Sequence, residues 1–106
     1  MGLYAQYTRF TCKPGKAPML VGILTKANGI VSTAAGCRLY IINRDAGKED
    51  TIWVTELWDS AEDHAMSLTM DGCKELITEA MPLLASPPDP IVLEALAGKG
   101  TEDGSF

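Results

Sequence analysis

The sequence predicts an α+β fold of the ferredoxin-like, split βαβ type: a four-stranded antiparallel sheet with helices on one face. Three observations carry this. Breaker-free runs rich in Thr, aromatic and β-branched residues alternate with stretches whose apolar residues recur at helical spacing. They come in the order β-α-β-β-α-β. Asp45-Ala46-Gly47-Lys48, with the composition of a turn, lies between the second extended run and the third, which makes a hairpin of the pair.

The first strand is expected over Tyr4 to Cys12, closed by Lys13-Pro14-Gly15. From Met19 the apolar residues Leu20, Ile23, Leu24, Ala27, Val31 and Ala34 share one helical face, with Pro18 tolerated in the first turn. That helix is expected to pass through Gly29, weakened there, and to end before Gly36. Cys37 to Asn43 and Thr51 to Trp58 read as the next two strands. Ser60 with Asp63 three residues on forms a capping-box start for a short helix over Ala61 to Thr69. Asp71-Gly72 breaks it, Cys73 to Ala80 resumes it, and Pro82 ends or kinks that segment. Pro87, Pro88 and Pro90 then lead, extended, into a last strand over Ile91 to Leu96.

A chain of 106 residues is one domain, expected over 1–97, with a Gly-rich polar tail over 98–106 expected to be flexible. Folding at this size buries about two-thirds of the unfolded surface. The apolar content of 46% is globular and high for so modest a core, which points to a partner subunit. The strands say the same: Leu39 and Ile41 alternate with Tyr40 and Ile42, and Trp53 and Leu57 with Val54 and Trp58, so both faces are apolar. A homodimer pairing the sheet faces without helices covers them.

A net charge of −5, with nine scattered basic residues, offers no stripe for a nucleic-acid backbone. No apolar run is long enough to span a membrane and no signal peptide is evident, so a cytoplasmic protein is expected. Met1-Gly2 lacks the rest of a myristoylation motif, because Gln6 stands where Ser or Thr is needed. Cys12, Cys37 and Cys73 are too widely spaced for a disulfide framework or a metal knuckle, and they read as small core hydrophobes. Neither a nucleotide fingerprint, nor a metal-ligand cluster, nor a nucleophile elbow is present, so no cofactor and no metal are expected.

His64 is the single histidine and the one side chain whose ordinary pKa lies near neutrality. Early in its helix, with Ser67 and Leu68 on the same face, it reads either as a general base aimed between helix and sheet or as a surface residue closing the helix. Trp58 is a core or interface anchor or a ligand contact. Tyr7 and Tyr40 could each aim a hydroxyl at a bound ring or simply pack the sheet. Glu56, inside an apolar strand, needs a partner, and a structural pair with Arg9 or Arg38 is the favoured reading.

Lys13-Pro14-Gly15, Gly36-Cys37 with Leu39-Tyr40, the run Trp53 to Trp58, then Ser60, Glu62, His64, Ser67-Leu68, Pro82-Leu83-Leu84 and Gly98-Lys99-Gly100 together resemble the antibiotic biosynthesis monooxygenase family. These are small dimeric α+β barrels that include a quinol monooxygenase branch. The most specific piece is Glu56-x-Trp58 followed by Ser60-x-Glu62. Many members place a histidine nine residues after that Trp; here the position is Ser67, and His64 matches a branch reading His-x-x-Ser-Leu. The haem-degrading branch is disfavoured, since this chain has no Asn before Asn28, no Trp after Trp58 and no His after His64. The resemblance implies a cofactor-independent monooxygenase acting on an electron-rich aromatic, a quinol or a polycyclic phenol. His64 would be the base, Ser67 and Tyr40 would orient ring oxygens, and Trp58 would wall the site. The alternative is a non-catalytic dimeric module for a small hydrophobic ligand. An open pocket holding His64 and another polar group favours the enzyme; a cleft plugged by Met66, Met70 or Met81 favours the module.

Overall fold

In the computed structural model, which describes residues 2–101, the antiparallel hairpin β2 (Cys37–Asp45) and β3 (Lys48–Trp58) pairs through β3 with β1 (Leu3–Thr11). β1 in turn pairs antiparallel with β4 (Asp89–Ala95), giving the sheet order β2-β3-β1-β4. Between β1 and β2 lies α1 (Ala17–Val31). Between β3 and β4 lie α2 (Ala61–Ser67), α3 (Cys73–Ala80) and a single 3₁₀ turn, Met81–Leu83. This is the expected ferredoxin-like arrangement. Pro90 lies within β4 rather than before it, opposite Thr8, a position an edge strand tolerates because no further strand needs its N–H.

Two helices are shorter than their periodicity suggests. α1 stops at Val31, because Thr33 and Ala34 bond back three residues to Ile30 and Val31, and the Thr33 hydroxyl caps the Ile30 carbonyl at 2.7 Å. α2 stops at Ser67 for the same reason: Thr69 donates both its N–H and its hydroxyl to the Met66 carbonyl. Its start is as read from the sequence, with the Ser60 hydroxyl accepting from the Asp63 N–H at 3.1 Å. Gly36 takes φ +87°, and a Cβ there would collide with the Asp63 carboxylate; its carbonyl accepts from the Asp59 N–H at 2.8 Å. Only glycine lets the β2 entry pass so close under α2.

Even-numbered residues of β1, β3 and β4, with Tyr40 and Ile42 of β2, face the helices. The main core of Leu20, Leu24, Ile52, Val54, Ala80, Leu83 and Leu84 lies there, and a second cluster gathers Val31, Trp58 and Cys73. Among the described residues the opposite face carries no helix. Leu3, Ala5 and Leu57 pack together at one end of it, while Tyr7, Leu39, Ile41, Ile91 and Leu93 stay 36–46% exposed. The C-terminal segment is described as far as Thr101, which is buried: its hydroxyl donates to the Gly98 carbonyl at 2.5 Å, and its own carbonyl accepts from Arg38 at 3.1 Å. The remainder of the tail expected over 98–106 lies outside the described residues. Among the described residues no helix is long and apolar enough to cross a membrane.

Candidate active site

Strand register sets three residues in one row across the helix-facing side of the sheet: Tyr40 on β2 opposite Glu56 on β3, and Glu56 opposite Gln6 on β1. Above this row α2 presents His64 and Ser67. Between sheet and helices lies a cavity of about 360 Å³ lined by these five residues at one end, together with Thr8. Its other walls are almost wholly apolar, built from Phe10, Ile23, Leu76, Ile77, Met81 and Leu84 among others.

His64 is wedged in place. Its ring stacks on Tyr4 at a centroid distance of 4.9 Å and meets the edge of Trp58 at 5.7 Å. Nε2 stands 3.7 Å from Glu56 Oε1, too far for a hydrogen bond, and neither ring nitrogen is committed to one among the described residues. Burial holds the imidazole below its ordinary pKa of 6.5, so His64 rests neutral at neutral pH. His64 sits at the middle of α2, which spans two turns.

Glu56 does not pair with an arginine. Arg9 bonds Asp89 at 2.7 Å on the bare face, and Arg38 bonds Asp59 at 2.6 Å. Instead Oε1 of Glu56 accepts from Trp58 Nε1 at 3.1 Å. Burial raises the Glu56 pKa above the ordinary carboxylate value, and the Trp58 bond only partly opposes it. Burial first, and the Glu56 carboxyl next, push Tyr40 far above the ordinary phenol range, so its hydroxyl is a neutral donor.

The remaining expected site residues divide. Ser67 is buried on the cavity wall, but its hydroxyl donates to the His64 carbonyl at 2.6 Å, leaving only lone pairs for a ligand. Trp58, expected as a wall, is fully buried behind His64 and Glu56; it supports them and does not line the cavity. Tyr7, expected to reach a bound ring, lies on the bare face, because the Tyr7↔Thr55 pairing turns odd-numbered β1 residues away from the helices. Gln6 and Thr8 take that place. Tyr4 donates to Gln6 Oε1 at 2.5 Å and Gln6 Nε2 donates to Thr8 at 2.9 Å, a polar ladder along the cavity side of β1. Tyr4, Gln6 and Thr8 carry no motif; only their spacing of two on a strand marks them. Among the described residues no three His, Cys, Asp or Glu side chains converge as a metal site requires.

Comparison with known families decides the lineage. The profile described as antibiotic biosynthesis monooxygenase matches residues 3–78, which include β1 through most of α3. The chain belongs to the antibiotic biosynthesis monooxygenase family. A candidate antibiotic biosynthesis monooxygenase from Chloroflexus aurantiacus is 29% identical, with a TM-score of 0.78 over 94% of this chain and 99% of that one. Candidates from Nitrosomonas europaea (13% identity, TM-score 0.87, 91% and 93% covered) and Caulobacter crescentus (22%, 0.84, 91% and 92%) share the fold. No curated protein matches the chain. Family membership supports a monooxygenase kind for the site, and the residues above are what this member brings to it.

Proposed function

We propose that the protein is a cofactor-independent monooxygenase that oxidises an electron-rich aromatic, a quinol or polycyclic phenol, with dioxygen in the cytoplasm. The observation that carries this reading is the cavity: about 360 Å³, apolar on most sides, with one neutral imidazole at its polar end. Such a substrate needs little from the protein. His64 takes a ring hydroxyl proton, and the electron-rich anion passes electrons to dioxygen. A ring carbon then bonds to one oxygen, and the O–O bond breaks with loss of water, the proton returning from His64. The balance is AH₂ + O₂ → AO + H₂O, with all reducing electrons supplied by the substrate. Apolar walls exclude water from the anion. Tyr40 donates to a ring oxygen and Ser67 accepts from a ring hydroxyl.

Among the described residues no methionine fills the cavity, which supports an enzyme over a passive binding module. Met66 is 67% exposed, Met70 packs against the cluster of Val31, Trp58 and Cys73, and Met81 forms part of the cavity wall. A second copy of the chain is the partner proposed for the bare sheet face, giving a homodimer. The test is oxygen uptake by flavin-free, chelator-treated protein with a panel of quinols. One O₂ per quinol is expected, with His64→Ala slower by about 10²–10⁴-fold. A folded wild-type protein that consumes no oxygen with any of them refutes the reading.

A further inference from the structure

We propose that Glu56 and His64 together cradle one ring hydroxyl, Glu56 as an acid donating to the hydroxyl oxygen and His64 Nε2 accepting its proton. This rests on the reading of the cavity as the seat of an electron-rich phenol, and it gives Glu56 a role that neither the family likeness nor the sequence motif assigns.

The geometry sets the roles. Both side chains border the cavity, and both are nearly inaccessible from outside, at 10% for Glu56 and 14% for His64. They do not satisfy each other at 3.7 Å. Trp58 holds Oε1 of Glu56, so Oε2 is the oxygen left to carry a proton, and it makes no hydrogen bond among the described residues. His64, its ring fixed by Tyr4 and Trp58, has Nε2 on the same side. A hydroxyl both accepts from an acid and donates to an imidazole, so a single oxygen entering here satisfies both side chains.

The protonation states agree with this placement. Burial favours the neutral form of each group, raising Glu56 and lowering His64. The other ionisable groups facing the pair are Tyr4 from β1, Cys37 and Tyr40 from β2, and Cys73 at the start of α3, all raised first by burial and so neutral. On the helix of His64, Glu62 is exposed and Asp63 turns toward Gly36. No Lys or Arg lines the cavity among the described residues. Burial thus biases both side chains toward their neutral forms, and no lysine or arginine of the cavity wall biases Glu56 the other way. When His64 takes the proton, the ring O–H bond breaks, an Nε2–H bond forms and the oxygen keeps the electron pair. The Glu56 O–H then bonds to a phenolate oxygen. An ionised Glu56 would instead repel that charge.

The test uses 1-naphthol, 1-methoxynaphthalene and naphthalene as fluorescent ligands of the wild-type protein and of Glu56→Gln, Glu56→Leu and His64→Phe. Naphthol is expected to bind on the order of tenfold more tightly than the methoxy compound, which cannot donate. Glu56→Gln keeps an acceptor for Trp58 and an N–H donor for the ligand, so it should stay within about threefold of wild type, while Glu56→Leu and His64→Phe lose the preference. The preference should also fade as pH rises through the raised pKa of Glu56. Equal binding of naphthol and its methyl ether by wild-type protein, or a Glu56→Gln variant as impaired as Glu56→Leu, overturns the cradle. The wild-type ligand comparison decides even if a variant does not fold. Hydroxyl preference without oxygen uptake would leave the cradle standing and remove the monooxygenase; oxygen uptake without hydroxyl preference would do the reverse.

Discussion

Replacing Ile41 with aspartate strikes the bare sheet face on its edge strand β2 without touching the cavity, since Ile41 points away from the helices between the helix-facing neighbours Tyr40 and Ile42. Ile41 is 46% exposed in the single chain. Covering it fully recovers about half of the ~1.5–3 kcal/mol that complete burial of such a side chain is worth. A twofold axis counts that loss twice, so removing the side chain alone weakens a pair by roughly 1.5–3 kcal/mol. The aspartate then brings an unpaired charge into the contact at a further cost of several kcal/mol. The dissociation constant should therefore rise by at least about 100-fold. Sedimentation equilibrium at micromolar concentration is the assay: wild-type protein at twice the 11.4 kDa chain mass, the variant at 11.4 kDa itself. Circular dichroism should show the variant still folded. A wild-type monomer at these concentrations, or a variant that stays paired, refutes the argument that the exposed Tyr7, Leu39, Ile41, Ile91 and Leu93 surface covers itself.

Two stability predictions follow from the site. Gly36→Ala forces a Cβ into the Asp63 carboxylate at a left-handed backbone angle, so unfolding free energy should drop by about 2 kcal/mol or more, read as a lower thermal midpoint; an unchanged midpoint would refute the close approach. Glu56 has a folded pKa raised above its ordinary 4.5, so its contribution to stability is fully present below that value and is lost as pH rises through the folded one. His64 has the opposite sign, its contribution being present above 6.5 and lost as pH falls through its lowered folded pKa. Thermal midpoints of Glu56→Gln relative to wild type should therefore climb as pH rises from 4.5, and a constant difference would show that Glu56 is not held as the acid.

The element order was legible in the sequence because its punctuation is strong. Pro14-Gly15, the Asp45–Lys48 turn and Asp71-Gly72 each forbid continuation, and the Ser60–Asp63 cap marks the start of α2. Facing was not legible. Strands apolar on both sides give no label for which side meets the helices, so Tyr7 and Gln6, adjacent in sequence, could not be sorted until the Tyr4↔Trp58 register was seen. Glu56 was misjudged because an acidic residue in an apolar strand suggests a distant cation. Its actual partner is local: Trp58 two residues on along the same strand face, with the His64 imidazole of the next helix 3.7 Å away. The cavity itself, formed where four strands and three helices close over a gap, has no signature in any one segment.

The alternation of β1 has a consequence for how such a protein can diverge. Tyr4, Gln6 and Thr8 serve the cavity, while Leu3, Ala5 and Tyr7 serve the other face, so substitutions at neighbouring positions answer to separate demands. A lineage can retune the ligand chemistry at one set of positions while leaving assembly to the other, with the backbone hydrogen bonds indifferent to both. Relatives that hold TM-scores of 0.78–0.87 at only 13–29% identity show the same framework kept while most of the sequence changes.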